Sequence, residues 1–292
     1  MTSLRVSPLG LGIGWRPELA LSIDRRHDLG FVEVVAEDIA TDAPLPEPIE
    51  QLRRRGVIVI PHGVSLSLGG AEPLDRGRLD HLARLAERVN APLVSEHLAF
   101  VRAGGHESGH LLPLPRTREA VDVVVENVRQ AQRVLPVPLA LENIATLFNW
   151  PDPELDEAAF VTEILERTDA LLLLDLENVY ANVRNHGGDA LEFFGQLPLD
   201  RIAYVHVAGG IERGGVYHDT HAHDIPAGVL DLVSELCART SVPGIMLERD
   251  DDFPTPNGLN RELDRIAAAI SLGAERRTSL IRESQLATTS RS

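Results

Sequence analysis

The chain has 292 residues, with 28 Lys+Arg against 44 Asp+Glu and a formal net charge of −16, and every basic residue is an arginine. Without lysine, the chain cannot build a lysine-linked pyridoxal phosphate site, an amine-type aldolase or a Walker-type phosphate loop; a single cysteine, Cys237, excludes disulfide frameworks and cysteine-ligated zinc or iron–sulfur sites within one chain. The acidic balance argues against non-specific nucleic-acid binding, no apolar run approaches the roughly 18–20 residues of a membrane span, and the start MTSLRVSPLG lacks a signal-peptide layout, so a cytoplasmic protein with no nucleic-acid or membrane partner is expected.

In chain order, short β-rich apolar runs fall at 11–15, 31–36, 57–60, 93–94 extending to 101, 137–141, 170–174, 202–207 and 244–247. Runs this short and continuous suit strands buried on both faces. Gly10, Gly12 and Gly14 in the first run have the wrong spacing for a dinucleotide-binding turn. Between the runs lie stripes of helical period. Leu79, Leu82, Leu85, Ala86 and Val89 form one; Val121, Val124, Val125, Val128 and Ala131 form another, behind Thr117 as its N-cap. Ala158, Val161, Ile164 and Leu165 follow, then Leu230, Val233, Leu236 and Cys237, which makes the cysteine a buried small apolar residue. Residues 184–189 and 208–228 read as Gly- and His-rich loops, and so does the AGGHESGH segment with His106 and His110; His27 and His81 fall in helical stretches. Strands alternating with helices over roughly 260 residues predict an α/β fold, a (β/α)8 TIM barrel, with a doubly wound open sheet as the alternative. Residues 1–273 form a single barrel domain on this reading, and the polar 274–292 a helix end and disordered C-terminal tail.

The polar residues that terminate the runs carry the chemistry. The second run ends in Glu37-Asp38, the third in His62, the fourth in Ser95-Glu96-His97, the fifth in Glu142-Asn143, the sixth in Asp175 with Asn178 three residues on, the seventh in His206 and the eighth in Glu248. Strand C-termini converge on one face of a barrel, where active sites are built. Carboxylates gathered there would repel one another, and metal cations are the natural compensation. The following loop adds Asp219 and His221, while His218 and His223 stay unassigned. The donor set is then His62, His97, Glu142, Asp175, Asn178, His206, Asp219, His221 and Glu248. Mixed nitrogen and oxygen donors without sulfur suit iron, manganese or zinc. They are too many for one ion and enough for two or three if carboxylates bridge.

The ordered segments PHGVSLSLGG, SEHLAF, LLPLPRT, LENIA, LLDLENVYANVRNHGGD, HVAGG, DTH and LERD resemble the multinuclear non-haem iron-dependent oxidative enzymes, once a family of unknown function, over about residues 10–265. That resemblance implies a xylose-isomerase-like barrel holding two or three iron ions of mixed Fe(II)/Fe(III) valence. With O2 as co-substrate, such enzymes modify a residue, often cysteine, of a ribosomally made precursor peptide. Many act with a small partner protein that recognises the peptide. It implies the same nine donors, and adds His186 as a further ligand or an acid–base group near substrate; His186 and Asp175 become the candidates for catalytic roles. Three positions depart from the family pattern: Val35-Ala36-Glu37-Asp38 for His-Pro-Glu-Asn, Glu177-Asn178 for Asn-Asn, and Gly210 for a His. Zinc or manganese remains an alternative metal. An endonuclease IV-like zinc phosphodiesterase, a sugar isomerase of the same barrel type, or a non-catalytic metal-binding partner protein remain alternative functions.

Overall fold

A computed structural model describes residues 6–289. Eight parallel strands close a barrel: β1 (Gly10–Gly14), β2 (Leu29–Val35), β3 (Ile58–Gly63), β4 (Val94–His97), β7 (Leu139–Glu142), β8 (Leu171–Asp175), β9 (Ile202–Val207) and β12 (Gly244–Leu247). They neighbour one another in chain order and β12 returns to β1, so the open-sheet alternative is overturned. The four helical stripes lie on α3 (Arg76–Val89), α4 (Arg118–Gln132), α5 (Glu157–Thr168) and α8 (Ala227–Arg239). Thr117 caps α4 as expected, its side chain accepting from the Ala120 N–H, and Cys237 is buried. Among the described residues no helix is long and apolar enough to cross a membrane.

Four segments differ from the sequence reading. The fourth run does not continue to 101: after His97 the chain leaves the barrel, and β5 (Phe100–Ala103) pairs antiparallel with β6 (His106–Leu112). Gly104 and Gly105, both at positive φ, make the tight connection, so His106 and His110 sit on a hairpin strand. The stretch 208–228 likewise contains a hairpin, β10 (Ile211–Arg213) and β11 (Val216–His218), turned at Gly214-Gly215. His27 lies in the connection between α1 (Ala20–Asp24) and β2, not in a helix. At the C-terminus α9 (Pro256–Thr289) runs on through 274–289, where a helix end and tail are expected; residues 290–292 lie outside the described residues. Its Arg276 pairs with Glu235, and Arg277 donates to the Cys237 and Thr240 carbonyls, which holds this stretch on α8.

Side chains alternate along each strand. Leu172 and Leu174 of β8 face the layer between barrel and helices, whereas Leu171 and Leu173 face the barrel interior with Phe31, Ile60, Leu93, Ala140, Tyr204 and Met246. Two residues beyond these interior positions, on the same face, stand Glu33, His62, Ser95, Glu142, Asp175, His206 and Glu248, with His97 two further on. One apolar layer thus carries a polar layer above it, at the C-terminal end of the barrel.

Candidate metal centre

The register sets the polar layer side by side. His97 pairs laterally with Glu142, and Asp175 with His206. All are buried: Asp175 and His206 are 0% exposed and Glu142 is 1% exposed. Three overlapping groups of donor atoms result. His62, His97 and Glu142 form the first, Glu142, Asp175, His206 and Glu248 the second, and His221, Glu248 and Asp250 a third.

Glu142 links the first two groups through different oxygens. Its Oε2 lies 3.5 Å from His62 Nε2 and 3.3 Å from His97 Nε2, whereas Oε1 lies 3.3 Å from His206 Nδ1. His206 Nδ1 is also 2.8 Å from Glu248 Oε2 and 3.7 Å from Asp175 Oδ2. Donors held at about 2.0–2.2 Å around one ion stand roughly 3–4 Å apart, so this spacing fits coordination. His221 presents two faces. Nε2 meets Asp219 Oδ1 at 2.7 Å and Asp175 Oδ2 at 3.7 Å; Nδ1 meets Glu248 Oε2 at 3.2 Å and Asp250 Oδ2 at 3.4 Å. Asp250 is already paired with Arg16 at 2.5 Å. Asn178, its Nδ2 committed to the Asn143 carbonyl, keeps Oδ1 free.

The fit to metal rests on orphaned atoms. Glu142 Oε2, Asp175 Oδ2, Asn178 Oδ1, His206 Nδ1, Asp219 Oδ1, His221 Nε2 and Glu248 Oε2 are buried without a well-aligned hydrogen bond, and the short contacts among them join His206 Nδ1 to Glu248 Oε2 and His221 Nε2 to Asp219 Oδ1. Leaving such groups unsatisfied costs about 1–3 kcal/mol each, more for charged ones. Without an ion, protons do the compensating. Burial opposes a charge on His97, but Glu142 and Glu96 outweigh it and hold its pKa up at about 9. Burial pushes Asp175 to about 7 with help from Glu142, against the pull of His221 and His206. Glu142 is held down at about 2 by His97, His206 and His62 despite its burial.

A buried chain of hydrogen bonds fixes which imidazole nitrogens face the cluster. Tyr204 donates its hydroxyl proton to Glu33 Oε2 at 2.5 Å, so the Ser95 hydroxyl, 2.6 Å from Tyr204, must donate to it. Ser95 is then left to accept from His62 Nδ1–H at 2.8 Å. His206 Nε2–H donates to the same Glu33 oxygen at 2.9 Å. Glu33 therefore leaves His62 Nε2 and His206 Nδ1 bare and pointed at the cluster, an arrangement typical of ligating histidines. Sequence reading missed Glu33, Ser95 and Tyr204 in this role, and Asp250. Glu37, taken as the polar end of the second run, instead accepts from Val64 N and pairs with the Ser65 hydroxyl.

His186 is set apart from the cluster. It ends α6 (Leu176–His186), its Nε2 meets the Thr146 carbonyl at 2.8 Å and hydroxyl at 3.0 Å, and it lines a separate cavity with Glu157 and Arg116. His223 bonds to Thr220 at 2.8 Å, and His81 to the Ala36 carbonyl, also at 2.8 Å. Over the cluster opens a cavity of about 410 Å³, floored by His97, Glu142, Asn178, Asp219 and His221 and walled by His110, Leu112, Phe148, Tyr217 and His218.

Comparison with known proteins agrees with this architecture. Solved structures of similar fold include an L-ribulose 3-epimerase (TM-score 0.55, 14% identity, covering 95% of this chain and 97% of that one) and a xylose isomerase domain protein from Planctomyces limnophilus (TM-score 0.52, 15% identity, 95% and 100%). These are xylose-isomerase-like TIM barrels, and at such identity they bear on fold alone. A UPF0276 protein of Streptomyces avermitilis is 52% identical over 275 residues, 92% of this chain but 56% of that protein; the chain thus spans little more than half of that relative's length. A UPF0276 protein of Caulobacter vibrioides is 36% identical over 267 residues, 90% of this chain and 95% of the relative. A family model described as RiPP precursor modification enzyme MbnB/TglH/ChrH matches residues 10–271. By that match over most of its length, and by these relatives, the chain belongs to the MbnB/TglH/ChrH family of RiPP precursor modification enzymes.

Proposed function

We propose that this protein holds two or three iron ions at the barrel mouth and uses O2 to oxidise a residue, cysteine foremost, of a ribosomally synthesised precursor peptide. The observation that carries the reading is Glu142, whose two oxygens face two separate donor groups as a bridging carboxylate would. His62, His97 and Glu142 would hold one ion, Glu142, Asp175, His206 and Glu248 a second, and Asp175, Asn178, Asp219 and His221 a third. Iron of mixed Fe(II)/Fe(III) valence would supply oxygen activation and a Lewis acid able to bind a thiolate. The chain supplies what surrounds that chemistry. Glu33 orients His62 and His206, and Ser95 and Tyr204 transmit its hold to His62. The cavity above the cluster has room for one side chain, with Leu112 and Phe148 providing apolar wall and His110 and His218 polar wall.

The chain's net charge of −16 favours a basic partner, so a basic leader segment or a small recognition partner protein is expected to deliver the peptide. The test is to load metal-free protein with Fe(II) under argon, add Cys-containing peptides encoded beside its gene together with any small protein encoded there, and admit O2. An oxygen-dependent mass change on a peptide cysteine is the expected result. No oxygen-dependent change on any of them, or the same change under argon, would contradict the proposal.

A further inference from the structure

Residues 143–150, which follow Glu142 at the end of β7, form neither helix nor strand. Ala145, Thr146, Leu147 and Phe148 of this segment wall the cavity above the cluster. Leu147 and Phe148 are 62% and 46% exposed, so burial in the core does not hold them there. One face of α6 holds the segment instead. Asn178, Asn182 and His186 recur at four-residue steps, which puts them on one side of the helix. Asn178 Nδ2 donates to the Asn143 carbonyl at 2.9 Å, and Asn182 Nδ2 to the Ile144 carbonyl at 3.0 Å. Asn182 Oδ1 accepts from the Thr146 N–H at 2.9 Å. His186 Nε2 meets the Thr146 carbonyl at 2.8 Å and its hydroxyl at 3.0 Å. A carbonyl can only accept, so this nitrogen carries a proton and is committed to the segment. Past the last of these bonds, Trp150 Nε1 donates to the carbonyl of Pro113, another residue of the cavity wall, at 2.7 Å.

Backbone groups outside regular structure need partners, and here side chains of a single helix supply them. The same helix begins at Asp175 and carries Asn178, both in the proposed donor set, so the ladder ties the cavity wall to the cluster. We propose that Asn182 and His186 are positioning residues that set this wall against the metal centre and so preform the cavity for the peptide side chain. His186 then acts through Thr146 and is neither a ligand nor an acid–base group. A preformed wall spares the peptide the cost of ordering it on binding. The kinetic consequence rests on the function proposed above, whereas the positional one does not.

Wild type, His186→Ala and His186→Gln are compared. His186 is exposed, so its loss leaves the core intact, and glutamine keeps an N–H donor while lacking a basic nitrogen. Three quantities are measured: iron per chain after loading with Fe(II) under argon, amide exchange of segment 143–150 by mass spectrometry, and KM and kcat for a peptide that wild type modifies. His186→Ala is expected to hold as much iron as wild type and to exchange the segment about two- to tenfold faster. Its KM should rise by a similar factor with kcat little changed, the mark of lost binding rather than lost chemistry. His186→Gln should restore both exchange and KM. Iron lost from His186→Ala would make the residue a ligand. A lower kcat in both variants at unchanged KM would make it an acid–base group. Unchanged exchange would show that the wall is held without it. Each of these results overturns the proposal. If wild type modifies no peptide, the function proposed above falls, and exchange of the segment alone decides the role of His186.

Discussion

Glu33 shows how much of the site depends on a residue that could never touch substrate. It fixes two imidazoles at once, directly through His206 and through Tyr204 and Ser95 to His62. Glu33→Gln should therefore lower metal affinity about 10–100-fold, read by competition with a chelator, while the fold and its circular dichroism persist. Unchanged affinity would remove the tautomer argument. A second residue-scale prediction concerns Glu157, whose pKa burial raises to about 7 against the opposing pull of Arg116 and of Asn182's hydrogen bond. A carboxyl raised above its unfolded value lends stability that is fully present below about pH 4.5 and lost as pH rises through about 7. Glu157→Gln should thus match wild type near pH 4.5 and exceed it above pH 7, by up to about 2 kcal/mol in denaturant melts, partial exposure trimming the effect. The nine proposed donors stand out in the sequence because eight of them stand at the end of an apolar run or in the loop after the seventh, and Asn178 follows Asp175 by three residues. Glu33 does not, because it lies inside its run; only the two-residue alternation from Phe31 marks it as level with His62 and Glu142.

At the scale of elements, the eight barrel strands were legible as runs and the main helices as stripes, because both signals come from burial against a large core. The hairpins were not, since β6 and β10 carry exposed residues and bury no continuous face. Their signal was the glycine pairs Gly104-Gly105 and Gly214-Gly215 at positive φ. Gly12 of β1 serves packing instead. A Cβ on Gly12 would lie 2.4–2.6 Å from ring atoms of Phe31, which is 0% exposed and fills the barrel interior. Gly12→Ala should cost about 1–3 kcal/mol, seen as a lower midpoint in urea without a changed slope. An unchanged midpoint would mean the interior apolar layer is looser than its burial implies.

For the whole molecule, the barrel converts a linear series of strand ends into one buried cluster of opposite and like charges. The absence of lysine narrows the chemistry that cluster can perform, since no side-chain amine can serve as a nucleophile and the one thiol is buried within α8, its pKa raised to about 11 by burial. What sequence could not show is which donors share an ion. That depends on side-chain direction at the barrel mouth, where Glu142 faces two ways and His221 offers both of its nitrogens. The most direct test of the multinuclear centre is the metal content of the full chain purified and desalted without oxygen. The account predicts two to three iron ions per chain, falling by more than one in Glu142→Ala. One ion or fewer per chain, or zinc in place of iron at full occupancy, would contradict it.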